Sequence, residues 1–349
     1  MKLRSLVLHA IRALGGFSLA RYLTRDRLRI LCYHGFSFAD EHELYPFVFM
    51  RPQTFERRMA TIKRRGIPVI PLDEAVRRLQ AGRITAGEIV ITFDDGWESN
   101  LTVGLPILEE YGYPACIYVT TEHLTAGGKV RDAFNMVLSY LIHRSRRPTL
   151  VLRNVHPALD GEYDVATQPF ATTIALIIAS EKAFGLAERY QLLGRIAAEL
   201  GLALDDALSS GGFRLLTGEQ MRELTQRGVD IQLHTHTHRL PDSSPQAMAP
   251  EIEQNRKVIE DVTGITPRHF CYPSGKHSPL HPEWLGRLGI VSAATCDPGL
   301  NQAGCSTMLL RRHLDHERQA DIMFDAEICG VMELARKLRA TLRRLRPAH

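Results

Sequence analysis

The 349-residue sequence contains no CxxC pair, no zinc-finger spacing, no internal repeat and no low-complexity tract. Its six cysteines (Cys32, Cys116, Cys271, Cys296, Cys305 and Cys329) are widely scattered, which argues against a disulfide framework. Cys32, Cys116, Cys271 and Cys296 lie in apolar runs, where a reduced thiol packs as a small hydrophobe. That pattern suits a reducing compartment. No apolar stretch reaches the ~18 residues that a membrane-spanning helix needs. No secretory leader is evident, because His9, Arg12 and Arg21 interrupt any apolar core near the start. Interleaved basic and aromatic residues are also missing, so no nucleic-acid partner is expected. Together these absences give the expectation of a cytoplasmic protein.

What is present is ordinary for a folded globular chain: 44% hydrophobic and 23% charged residues, with a formal net charge of +4. The length allows one large α/β domain or two smaller ones, with a core that needs no covalent staple. The basic excess is concentrated at the two ends, in Lys2–Arg29 and Arg336–Arg346. Residues 1–27 read as a basic amphipathic helix bent at Gly15-Gly16, either packed on the body or resting peripherally on an anionic membrane. The C-terminal region, 317–349, reads as a further helix.

Between them, short apolar runs alternate with amphipathic stretches. Leu28–Tyr33, Pro68–Pro71, Glu88–Phe93, Ala115–Val119, Val229–Leu233, His269–Tyr272 and Val291–Thr295 read as strands, each separated from the next by a helix pattern or a longer insertion. This alternation predicts a parallel β/α architecture, either a barrel or an open doubly wound sheet. From about Thr125 to Gly212 the rhythm breaks into a mainly helical insertion, with a hairpin around Leu150–Tyr163. Gly127-Gly128 and Ser209–Gly212 are the expected hinges.

Two strand ends carry chemistry. Ile89–Phe93 runs into Asp94-Asp95-Gly96, and the carboxyl ends of parallel strands are where such folds place ligands. An Asp-Asp-Gly turn is common by itself. However, Val229–Leu233 ends in His234-Thr235-His236-Thr237-His238, and three histidines in five residues are hard to explain by packing. An i, i+4 histidine pair with a carboxylate makes a three-ligand set that leaves positions open, as catalytic metal sites do.

Thr92–Gly96 and His234–His238 resemble the first two motifs of the polysaccharide deacetylases, carbohydrate esterase family 4 with its NodB-homology domain. Phe270–Gly275, Cys32-Tyr33-His34 and Leu310-Arg311-Arg312 resemble later and flanking elements of its exopolysaccharide-biosynthesis branch. The resemblance covers about 28–316 minus the insertion, and it implies a distorted (β/α)7-type barrel. It implies Asp94 as general base and Asp95, His234 and His238 as ligands of a divalent metal, most often Zn2+. Thr235 and Thr237 would brace the loop, and Ser274 would offer a backbone N–H to the oxyanion. Arg312, with Arg311 beside it as the alternative alignment, would pair with the base, replacing an arginine that often precedes the third motif; here that place holds His269-Phe270-Cys271. Trp97, Tyr272 and Pro273 are the expected sugar contacts. No Leu-x-His element is present to supply the proton donor, and His34 and His313 are the candidates for that role. His277 and His316 are expected at the surface.

The implied reaction is hydrolysis of the N-acetyl group of an N-acetylated sugar, whether free, lipid-linked or polymeric. Deformylation of a glycolipid, or an inactive glycan-binding relative, are the alternatives. Oligomeric state is not encoded in any motif.

Overall fold

The structure, a computed structural model, describes residues 2–125 and 133–344. Seven parallel strands form its centre: β1 (Arg27–Tyr33), β2 (Ile89–Phe93), β3 (Ala115–Val119), β4 (Asp230–Leu233), β5 (His269–Cys271), β6 (Ser292–Ala294) and β7 (His313–Leu314). They are hydrogen-bonded in the order β6-β5-β4-β3-β2-β1-β7. The curled sheet meets itself at Leu310, whose N–H donates to the Ala293 carbonyl (2.9 Å) and whose carbonyl accepts from the Thr295 N–H (2.8 Å). The (β/α)7 barrel expected above is therefore present. Its seventh strand, however, is the segment through Arg312. The expected strand Pro68–Pro71 contributes only one bridge, from Val69 to Ile89.

The helices of seven or more residues are α1 (Lys2–Ala13), α2 (Gly16–Leu23), α3 (Pro52–Arg65), α4 (Leu72–Gln80), α5 (Leu105–Tyr111), α6 (Phe134–His143), α7 (Pro169–Ala183), α8 (Leu186–Glu199), α9 (Gly218–Gln226), α10 (Pro245–Thr263), α11 (His281–Arg287), α12 (Asp321–Ile328) and α13 (Val331–Arg344). The C-terminal region is two helices rather than one. They part at Gly330, which has φ 80° and leaves no room for a side chain, because a Cβ there would lie 2.3 Å from Thr24 Oγ1.

Strand periodicity positions the site. In β2, Ile89, Ile91 and Phe93 pack outward against the helical layer, while Val90 packs inside the barrel with Ile30, Cys116, Tyr118 and Cys271. Thr92 and then Asp94 continue the inward series, so the alternation itself delivers a carboxylate to the barrel mouth. The same parity turns Arg312 inward, and it leaves Arg311 exposed.

The insertion has its own core, in which α6, α7, α8 and the hairpin Thr149–Leu152/Gly161–Asp164 bury Leu138, Leu150, Leu176 and Leu193. Of the expected hinges, Gly127-Gly128 lies outside the described residues. Ser209–Gly212 is pinned rather than loose: the Ser210 hydroxyl donates to buried Glu41 (2.6 Å), and a Cβ on Gly212 would collide with that carboxylate.

Candidate metal centre and active-site cleft

Asp94 is 3% exposed and receives two parallel hydrogen bonds of 2.7 Å from the fully buried Arg312 guanidinium. The other Arg312 donors go to the Thr295 carbonyl (2.9 Å), Thr92 Oγ1 (3.3 Å) and Cys271 Sγ (3.0 Å), so the cation is fixed from several sides. Burial pushes the Asp94 carboxyl up. The charge and hydrogen bonds of Arg312 outweigh it and hold the group well below the usual carboxylate range. The two thiols of Cys32 and Cys271 complete the packing, at 3.5 and 3.4 Å from Asp94 Oδ2.

Asp95 turns the other way. Its φ of 74° and that of Gly96, 85°, place two successive residues in the left-handed region, which swings the Asp95 side chain out of the strand alternation. Its Oδ1 lies 3.4 Å from His234 Nε2 and 3.3 Å from His238 Nε2. Thr235 (φ 65°) and His238 (φ 60°) are also left-handed, so the chain is coiled tightly enough to bring two imidazoles spaced i, i+4 within 4.9 Å of each other.

The donor set fits a cation. His234 Nδ1 lies 2.8 Å from the Cys271 carbonyl, which can only accept, so Nδ1 carries a hydrogen, and in its neutral form the ring turns the Nε2 lone pair towards the Asp95 carboxylate. Two imidazole nitrogens and a carboxylate oxygen converging on one point repel one another unless a positive charge sits among them. Ligand atoms of Asp95, His234 and His238 all lie within 4.8 Å of one another.

Other side chains that the sequence singled out are placed unequally. His34, at the end of β1, sits close to Asp94, and its carbonyl is held by Asn100 Nδ2 (2.6 Å) from a π-helical turn, Asn100–Gly104. His313 faces out of the barrel towards Phe324 and Gln319, away from the site; strand parity forbids it, because its neighbour Arg312 points in. Ser274 is exposed in the turn after β5, with φ 55°. Tyr272 and Pro273 are corrections. Trp97 is 2% exposed, lies 4.9 Å from the Phe49 ring and donates its indole N–H to Asp95 Oδ2 (3.1 Å), so it positions that carboxylate while lining the cleft beside it. Tyr272 is buried with its hydroxyl on the Met308 carbonyl, and Pro273 is buried beside it. Thr237 braces the loop through both its N–H and hydroxyl to Glu251, whereas the buried Thr235 hydroxyl has no hydrogen-bond partner among the described residues. His236 is held by Thr121 Oγ1 (2.9 Å), apart from the ligand set. His277 is exposed, and His316 is half-buried against Phe47.

Sequence reasoning missed Asn255 and Glu251 on α10. Fully buried Asn255 accepts the His234 N–H (3.0 Å) and donates to the Val119 carbonyl and Thr121 Oγ1 (both 3.0 Å), tying the ends of β3 and β4 together. A buried Asn in a helix is a weak signal, visible only against the apolar i, i+3, i+4 pattern around it.

A cleft of about 200 Å3 opens beside Asp95 and His238. One wall is the barrel rim; the other is the insertion, through Phe134, Met136, Glu181, Leu186 and Arg189. Arg189 pairs with Glu122 (3.1 Å), and Arg239, just past His238, pairs with Glu181, so the insertion is fastened by charge to the barrel rim after β3 and β4.

Comparison with known proteins agrees with this geometry. The family model described as polysaccharide deacetylase matches residues 82–143 and 188–293, and so omits the middle of the insertion. YxkH of Bacillus subtilis strain 168, a provisional polysaccharide deacetylase, is 28% identical over 85 residues, which are 24% of this chain and 30% of that protein. The match therefore spans under a third of that relative. The fold is shared with Streptococcus pyogenes deacetylase PplD in complex with acetate (18% identity, 82% of this chain and 91% of that chain, TM-score 0.54). It is shared also with IcaB from Ammonifex degensii (16% identity, 87% and 97%, TM-score 0.54) and a de-N-acetylase from Aggregatibacter actinomycetemcomitans (15% identity, 86% and 99%, TM-score 0.52). The barrel around the Asp–His cluster matches the polysaccharide deacetylase model, and the chain therefore carries a polysaccharide deacetylase domain.

Proposed function

We propose that the protein is a metal-dependent carbohydrate N-deacetylase that removes the N-acetyl group from an N-acetylated sugar in polysaccharide or glycolipid synthesis. One observation carries the reading: the Asp95, His234 and His238 ligand atoms converge at a cleft whose adjacent carboxylate, Asp94, is held ionised by Arg312. Asp95, His234 and His238 would hold a divalent ion, with Zn2+ the best match to two imidazoles and a carboxylate. When bound, such an ion supplies Lewis acidity towards water and an amide carbonyl.

The chain's own residues then divide the proton work. Asp94 keeps lone pairs free beyond the two that Arg312 occupies, and it takes the proton of the attacking water. The Ser274 N–H donates to the oxyanion as the tetrahedral carbon forms. His34 delivers a proton to the departing amine as the C–N bond breaks, leaving acetate and the free amino sugar.

The test is acetate release from a panel of N-acetylated sugars, with N-formyl analogues alongside. Asp94→Asn should lower turnover by roughly 10²–10⁴-fold while metal content, read by elemental analysis, stays unchanged. Full activity in Asp94→Asn would remove the base. Wild-type protein that binds no metal would remove the whole site.

A further inference from the structure

The strongest feature outside the catalytic rim is a face built by α1, α2 and α13. On α1, Leu8 and Ile11 pack towards the body, while Leu6, Val7, Ala10 and Leu14 form an exposed stripe at helical spacing on the other side. Leu14 is 87% exposed and Leu6 67%. Leu19, Tyr22 and Leu23 project from α2, and Leu338 and Leu342 from α13. Val331, Ala335, Leu338 and Leu342 share one face of α13, and the first two line an apolar cleft of about 320 Å3 against Val7, Leu8 and Ile11 of α1. These surfaces are therefore neighbours. Single exposed leucines are ordinary on a solvated helix, but a run of them shared by three neighbouring helices is a contiguous apolar patch of the kind that marks an interaction surface.

The charge of the rim says what covers this face. Residues 2–25 hold five basic residues and no Asp or Glu. Arg4 and Arg339 flank the cleft and form no ion pair among the described residues. Arg12 is 47% exposed, with its nearest carboxylate, Asp325, 3.9 Å away. No helix of the described residues is long and apolar enough to cross a bilayer. Short amphipathic helices with leucine on one side and arginine at the edges have the composition of segments that lie in a lipid interface. A second copy of the same face would bring these arginines against their own kind.

We propose that the α1–α2–α13 face docks on an anionic lipid bilayer, with its leucines inserted and Arg4, Arg12 and Arg339 on the headgroups. The geometry has a consequence for catalysis. The start of α13 sits at the strand N-termini, where Glu333 pairs with Arg27 (3.3 Å), whereas the Asp–His centre is at the strand C-termini. Docking therefore keeps the cleft clear of the membrane surface, separated by the length of β1, roughly 20 Å. Substrate would reach it from solution or on a chain long enough to extend that far.

The experiment is flotation of the full-length protein with vesicles of pure phosphatidylcholine or of phosphatidylcholine with 30% phosphatidylglycerol, at low and high salt. Wild type should float with the anionic vesicles only, and high salt should weaken the binding. Arg4→Gln and Arg339→Gln should each cost about five-fold in partitioning. Leu14→Asp with Leu338→Asp should abolish flotation while leaving the melting temperature unchanged, since both side chains already face solvent. Equal binding to neutral and anionic vesicles would overturn the proposal, as would no binding. So would loss of binding on Ile174→Asp, in a second exposed stripe that Phe170, Ile174 and Ile178 form on α7, without loss on the Leu14 and Leu338 changes. A wild-type dimer in sedimentation that Leu14→Asp dissociates would replace the bilayer by a second copy.

Discussion

Removing Arg312 should destabilise the protein far more than removing any surface arginine. Its guanidinium is 0% exposed and makes both hydrogen bonds to Asp94 at 2.7 Å. Truncation to Met leaves a carboxylate in the barrel interior with two thiols and the imidazoles of His34 and His234 near it, and no guanidinium to pair with. Breaking a buried pair from one side costs about 3–5 kcal/mol, against a total stability on the order of 5–15 kcal/mol. The Thr295 carbonyl also loses its partner, so the upper half of that range is expected. Replacing both members, Asp94→Leu with Arg312→Met, removes the orphaned charge and should recover a large part of the loss. The assay is urea unfolding followed by far-UV circular dichroism for wild type, both single variants and the double variant. It should be run in chelator so that no bound ion contributes by linkage. The coupling should exceed about 2 kcal/mol. Strictly additive single costs, or an Arg312→Met effect under about 1 kcal/mol like that of an exposed pair, would refute the account of Asp94 as a carboxylate held ionised by Arg312.

Three further outcomes follow from the same geometry. Trp97→Phe deletes the 3.1 Å bond to Asp95 and should weaken metal affinity by about 10-fold or more, with KM for the sugar unchanged; a raised KM with unaltered metal binding would restore Trp97 as a sugar platform. Asn255→Ala strands the His234 N–H and the Val119 carbonyl, and should lower stability by about 2–4 kcal/mol and raise amide exchange at the ends of β3 and β4, readable by hydrogen exchange. For Glu41, burial pushes the carboxyl up, but the Ser210 hydroxyl, the Ala39 N–H and the Ser37 hydroxyl together hold it below its ordinary value. Since the folded value lies below the unfolded ~4.3, its stabilisation is complete above that pH and is lost as pH falls through the folded value. Glu41→Gln should therefore melt below wild type at pH 7, with the gap closing under acid; a gap independent of pH would show that the ionised form is not what the Ser210 turn binds.

The sequence alone determined the elements with strong period. The continuous apolar runs of β1, β2 and β3 and the bounds of α10 were legible because each is a local pattern of side chains. The Asp94-Asp95 and His234/His238 clusters were legible for a related reason: polar residues directly after a buried strand have few structural explanations.

Only the tertiary structure could decide the rest. Arg312 was chosen over Arg311 by the parity of a seventh strand too short to show a period, and the same parity removed His313 from the site. Trp97 and Tyr272 look like exposed aromatics in a motif, yet Phe49 and Met308, distant in sequence, cover or bind them. Asn255 acquires its role from three backbone segments that meet only when the barrel closes. The division has a physical cause. Burial and hydrogen bonding of a single side chain depend on partners brought together by the fold, whereas periodicity depends only on the chain's own neighbours.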